Sequence, residues 1–206
     1  MVKPILFNSD MVLAILEGRK TVTRRKIDID MSNQFDVETD GSVICYIDPG
    51  TGDRYRPEEL CRYQTGDILY VRETWQECCR NHVHNPIVHS KYCYKASLDS
   101  ALYGCIEEGE CKWHPSIHMP KEAARIWLRV VSVRLERLKD MTSEEAWKEG
   151  ARCTCMYPVP DCAGNKAEFI KIWDSTIPKK AIPHYGWEAN PWVWVIEFER
   201  CEKPED

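Results

Sequence analysis

The chain has 206 residues, 43% of them hydrophobic and 30% charged, an ordinary mix for a folded globular protein. Its formal net charge of −5 argues against broad binding to duplex nucleic acid, where phosphate contacts supply most of the affinity. No apolar run is long enough to span a bilayer, and Met1–Asn8 lacks the apolar core and cleavage site of a signal peptide. The expectation is therefore a cytoplasmic protein with no membrane partner. Its eleven cysteines, odd in number, then read as thiols rather than a disulfide framework.

In chain order, residues 3–8 read as a short extended entry. Residues 10–17 follow as a helix, with Asp10 as N-cap, Val12, Ile15 and Leu16 on one face, and Gly18 as its stop. Next comes a basic run, Gly18-Arg19-Lys20-Thr21-Val22-Thr23-Arg24-Arg25-Lys26, with five cations in nine residues and no acid. Arg19 and Lys20 are accounted for by the negative end of the helix dipole. Arg24, Arg25, Lys26 and the two threonines are not. They fit a corner that turns Lys20, Thr23 and an arginine toward an anion or a polar base. Lys20 and Thr23 face the same way if the turn stays helical.

Residues 27–65 are weakly patterned and read as a partly ordered insertion, with Ser42–Ile47 as a hairpin-strand candidate. Gly66-Asp67 is a turn and 68–72 a strand. A second irregular insertion, about 76–120, holds a strand-like Lys91–Ala96. Residues 125–138 form the longest strand candidate. Its apolar phase shifts after Val130, the mark of a bulge or bend. Thr142 and Glu145 form a capping box that opens a helix ended by Gly150. Residues 166–175 form a weaker helix, with Phe169, Ile172 and Trp173 on one face. In the final strand Trp192, Trp194, Ile196 and Phe198 alternate with Val193, Val195, Glu197 and Glu199.

Four blocks carry a family resemblance. Gly18-Arg19-Lys20-Thr21-Val22-Thr23-Arg24 resembles the G-x-K-x-x-T-x-R signature that opens ASCH domains. Gly66–Trp75, Met141–Gly150 and Trp192–Arg200 resemble the later blocks, in the same order. The chain is similar to the longer members often carried by phages and prophages. The resemblance implies an α+β fold: a PUA-like curved mixed or antiparallel β-barrel with short helices at its mouth. Residues 1–206 would form a single domain with insertions at about 27–65 and 76–120. Strands near 67–72, 91–95, 125–138 and 191–200 would share that barrel.

In small bacterial members a lysine, a threonine and a glutamate hydrolyse the amide of N4-acetylcytidine. Matched residue by residue, Lys20, Thr23 and Glu149 take those places. The chemistry is self-consistent. A threonine hydroxyl needs a base beside it, a buried lysine among cations can serve as that base, and an arginine can hold the oxyanion. Glu149 would orient Lys20 or shuttle a proton. On composition alone Glu149 reads first as a solvated glutamate on a surface helix. The same groups could also simply bind a polar base.

Gly18, Arg24, Arg25, Arg72, Glu73 and Trp75 complete the candidate substrate-binding set. Strand alternation lets Arg72 or Glu73 face a pocket, not both. Trp75 could stack a base or serve the core. Three functional classes follow: an amidohydrolase for acylated nucleosides, a binding module for short single-stranded RNA or a modified base, and a phage accessory protein acting through protein contacts. No cofactor is expected. Cys78, Cys79, His82, His84 and His89 form one ligand-type group, and Cys153, Cys155 and Cys162 another. Neither has paired C-x-x-C spacing, so they read as scattered thiols and imidazoles, with a composite structural zinc as the alternative.

Overall fold

The computed structural model describes residues 1–37, 43–77, 91–97 and 112–205. Its regular elements begin with β1 (Val2–Leu6), α1 (Ser9–Leu16), β2 (Val22–Lys26), α2 (Ile29–Ser32), β3 (Phe35–Val37), β4 (Val43–Ile47) and β5 (Arg54–Tyr55). They continue with β6 (Ile68–Arg72), β7 (Trp75–Glu77), β8 (Tyr92–Tyr94) and β9 (Trp127–Arg137). Last come α3 (Ser143–Lys148), α4 (Ala163–Thr176), α5 (Ile182–Tyr185) and β10 (Trp192–Cys201). This is an α+β protein with a mixed five-stranded sheet, hydrogen-bonded in the order β1-β6-β9-β10-β2. The order is linear, with β1 and β2 at its ends, and among the described residues it does not close into a barrel. The long strand expected at 125–138 is β9, which runs through Val130 and Val131, where the apolar phase shifts.

The chain forms two compact units. The first comprises Met1–Gly18, Ile68–Leu128 and Arg200–Asp206. Here β1 pairs in parallel with β6, from Val2 opposite Ile68 to Leu6 opposite Arg72. Ile5, Leu69, Val71, Ile126 and Leu128 are fully buried, as are Val12 and Ile15 of α1. The cap of α1 is Asn8, whose side chain accepts from the Met11 N–H; Asp10 lies inside the first turn, where its charge suits the helix dipole. The strand expected at 91–95 is β8, and it does not join the main sheet. It pairs with β7, and Trp75 packs edge-on against Tyr92 at 5.5 Å, with Met119 and Ala123 beneath. Cross-strand aromatic pairing to a nearby partner captures this segment.

The second unit comprises Arg19–Asp67 and Arg129–Glu199. β2 and β10 are antiparallel, with Thr23 opposite Ile196, Arg24 opposite Val195 and Arg25 opposite Trp194. Directly opposed residues share a face, so Val22, Arg24, Val193 and Val195 lie on one side and Thr23, Arg25, Trp194 and Ile196 on the other. Val22, Val193 and Val195 pack with Leu138, Phe169 and Trp173. Truncating either aromatic of α4 to alanine should cost about 3–5 kcal/mol. Ile172, placed on that face by its spacing, is exposed, and Ile170 takes part instead. The final strand is buried on both faces from Trp192 to Ile196, so its alternation does not mark a solvated side. In the first insertion the strand candidate at 42–47 is β4, and the segment around it is more ordered than its sequence suggests. β3, β4 and β5 form an antiparallel sheet in which Phe35, Tyr46 and Tyr55 succeed one another across the strands.

Candidate functional site

The Thr142 hydroxyl accepts from the Glu145 N–H, and the Glu145 carboxylate accepts from the Thr142 N–H, so α3 starts at Ser143. Gly150, at φ 90°, takes the left-handed conformation that ends the helix. This fixed length delivers Glu149 at the helix end. There the backbone of Lys20 bridges that of Glu149, and the Thr21 N–H donates to the Lys148 carbonyl at 2.8 Å. Gly18, at φ 71°, permits the reversal from α1 into this stretch. The segment after the bridge is strand rather than helical turn, so Thr23 and Arg24 point to opposite faces.

Lys20 and Glu149 converge. The Lys20 ammonium is 2.5 Å from Glu149 Oε2 and also donates to the Glu149 and Val22 carbonyls at 3.0 and 2.8 Å. Only 2% of Lys20 and 9% of Glu149 are exposed. A carboxylate at a helix C-terminus opposes the helix dipole; Lys20 offsets this by meeting both the side chain and a terminal carbonyl. Burial lowers the Lys20 pKa from its ordinary value. Pairing with Glu149 works against that shift, and the charges of Arg25 and Arg24 reinforce it.

Arg24 does not offer its charge to solvent. It is 4% exposed and reaches Glu149 at 3.3 Å, Glu136 at 3.0 Å and Glu145 at 3.1 Å. Its Nε is buried without a partner among the described residues. Arg134 extends the network to Glu136, to Glu145 at 2.5 Å and to Glu197 at 2.7 Å. Burial pushes the Glu145 pKa upward, but the Thr142 N–H and the charges of Arg24 and Arg134 outweigh this and hold it below its usual value. Two of the five cations in the basic run, Lys20 and Arg24, are thus buried against glutamates, while Lys26 is exposed and Arg19 and Arg25 are half-buried.

Thr23 sits on the other face of β2, beside Arg25. Its hydroxyl makes no hydrogen bond among the described residues, so the Thr–Lys contact of an activated nucleophile is not formed. Arg25, Trp194 and Ile196 on this face line an open cleft of about 310 Å³ together with Met31, Arg62 and Tyr63; Lys20, Thr23 and Glu149 do not line it. Burial lowers the Arg25 pKa, against the pull of Tyr63 and Glu149.

Arg72, Glu73 and Trp75 lie in the first compact unit and are engaged there. Arg72 donates to the Met119 carbonyl at 2.8 Å and to that of Ile117. Glu73, 1% exposed, receives the Arg125 guanidinium on both oxygens, at 2.8 and 2.9 Å. Arg125 also lies over the Tyr94 ring at 4.1 Å. Trp75 packs against Tyr92 and His114 and is a core residue.

Cys78, Cys79, His82, His84 and His89 lie outside the described residues. Cys153, Cys155 and Cys162 bring their sulfurs within 4.8 Å of one another, a group that could hold a metal ion. Hydrogen bonding among the thiols lowers the Cys153 pKa and pushes that of Cys155 up to about 11.

Sequence reasoning missed Arg134, Glu136 and Glu197, and assigned Glu145 to capping alone. The spacing of Arg134 and Glu136, two apart on one strand, places both on one face and was the available signal. It also missed Arg62 and Tyr63, which lie in the segment read as an insertion.

No family model matches the chain, and no curated protein matches it. A solved structure of a hypothetical protein, PH0355, aligns over 98% of this chain and 100% of its own, with 11% identity and a TM-score of 0.38. A likeness at that level carries no argument about fold or activity, so the family resemblance rests on the sequence motifs.

Proposed function

We propose that the second unit recognises a nucleoside, a modified base or the end of a short single-stranded RNA in the cleft beside Arg25. Lys20, Thr23 and Glu149 would then hydrolyse the amide of an acylated base such as N4-acetylcytidine. The observation that carries this reading is the meeting of Lys20 and Glu149 at 2.5 Å, from positions 129 residues apart. On the same reading the five-stranded sheet is part of a PUA-like barrel, and the whole chain is one ASCH domain.

In the reaction, Thr23 and Lys20 would first have to be brought into contact; the Thr23 oxygen then attacks the acyl carbon and its proton passes to Lys20, in the neutral form that burial favours. Arg25 faces the developing oxyanion. Lys20 and Glu149 return the proton to the departing exocyclic amine. Water then cleaves the acyl-threonine ester, releasing the acid and restoring the hydroxyl. One observation favours a second reading, a binding module without turnover. The three acceptors around the Lys20 nitrogen match the three N–H groups of an ammonium, which cannot take a proton.

The test is chromatographic detection of cytidine after incubation with N4-acetylcytidine. Cytidine release is expected from the parent. Thr23→Ala should slow it by about two to four orders of magnitude while still binding the nucleoside. Lys20→Ala should lose both. Binding without release by the parent assigns the cleft to recognition alone; neither binding nor release overturns the proposal.

A further inference from the structure

We propose that Cys153, Cys155 and Cys162 bind one zinc ion through their three thiolates and thereby close the 153–162 loop. Cys155 and Cys162 already stand 3.8 Å apart, sulfur to sulfur. A tetrahedral zinc site with bonds of about 2.3 Å to sulfur has edges of about 3.8 Å. The third sulfur lies within 4.8 Å of both and closes the site with a shift of at most about 1 Å.

The loop is built to hold this arrangement before any ion arrives. Asn165, fully buried, accepts from the Cys153 N–H at 2.9 Å and donates to the Val159 and Pro160 carbonyls at 2.8 and 3.0 Å. One side chain thus ties both arms of the loop. Cys162 is the N-cap of α4, where the helix dipole favours a thiolate. A Cβ on Gly164 would stand 2.6 Å from the Cys153 Cβ, so glycine is what allows the first turn of α4 to approach the thiols so closely.

A soft thiolate donor set selects zinc over magnesium or calcium. Binding would deprotonate the remaining thiols and release their protons. No fourth histidine, cysteine or carboxylate joins the group among the described residues, and Cys155 is exposed.

The experiment uses the full chain, purified under reductant without chelator. Elemental analysis should find about one zinc per chain. Replacing zinc with cobalt(II) should give near-ultraviolet thiolate-to-cobalt absorption. Cys155→Ser, at an exposed position, and Cys162→Ser should each bind at least tenfold less metal and lose that absorption. Cys45→Ser and Cys201→Ser should keep both. Chelator should lower the melting temperature of the parent but not of Cys155→Ser. Three results overturn the proposal: no zinc and no cobalt band in the parent, full metal retention by Cys155→Ser and Cys162→Ser, or a Cys155–Cys162 disulfide in the native protein.

Discussion

Glu73 and Glu149 are both buried carboxylates, one in each compact unit, and they are satisfied in different ways. Glu73 is gripped on both oxygens by one planar guanidinium, itself covered by the Tyr94 ring. Glu149 divides its oxygens between Lys20 and Arg24, and Arg24 is shared in turn with Glu136 and Glu145. A bidentate fork fixes one geometry. A carboxylate shared by a point-charge ammonium and an over-subscribed arginine has alternatives, because losing either partner leaves the other. Sites that move protons need that second kind of arrangement, and anchors need the first. The contrast is why we place chemistry at Glu149 and not at Glu73.

Removing the guanidinium is the most direct way to break the comparison. Arg125→Met leaves Glu73 buried without its partner and should cost about 3–5 kcal/mol in urea unfolding, whereas Arg125→Met with Glu73→Leu should recover most of it. Lys20→Met should cost less, about 2–3 kcal/mol, since Arg24 still faces Glu149. Equal losses at the two sites would erase the distinction. Thr142→Ala removes the cap that sets where Glu149 falls and should cost about 1 kcal/mol, read as a lower melting temperature.

The smallest effect is in the pH profile. The folded Glu145 pKa lies below its unfolded value of about 4.3, so its contribution is complete above that pH and declines as pH falls through the lowered value. Glu145→Gln should flatten the fall in melting temperature between about pH 5 and 2. A parent and variant that decline in parallel would show that the network does not hold this carboxyl down.

What the sequence made legible was local or periodic. The capping box at Thr142, the α4 face at Phe169 and Trp173, and the strands at 68–72 and 192–201 follow from side-chain spacing that needs no partner. The convergence of Lys20 with Glu149 was reached through motif resemblance, since no local rule joins residues so far apart. Of the β3–β5 sheet only β4 was legible, as the strand candidate at 42–47; β3 and β5 were hidden because Phe35, Tyr46 and Tyr55 form their aromatic row across strands. The pairing inside the basic run was hidden for a related reason. Its charge is conspicuous in sequence, while the glutamates that meet Lys20 and Arg24 are dispersed from Glu136 to Glu149 and look like ordinary surface residues. Arg25 and Thr23 showed the limit of spacing arguments: a helical turn and a strand assign opposite faces to the same residues.

The backbone bridge between Lys20 and Glu149 also sets a schedule. Residue 149 leaves the ribosome 129 residues after residue 20, a delay of about 6–26 s at usual synthesis rates. Throughout that interval the run from Arg19 to Lys26 has neither the α3 end nor β10 to pair with, and its cations remain in water. The nascent chain therefore exposes two cations, Lys20 and Arg24, that the finished protein buries. Any polyanion close to the ribosome meets those two charges before Glu149 does, so the late arrival of one short capped helix decides when they are withdrawn from water.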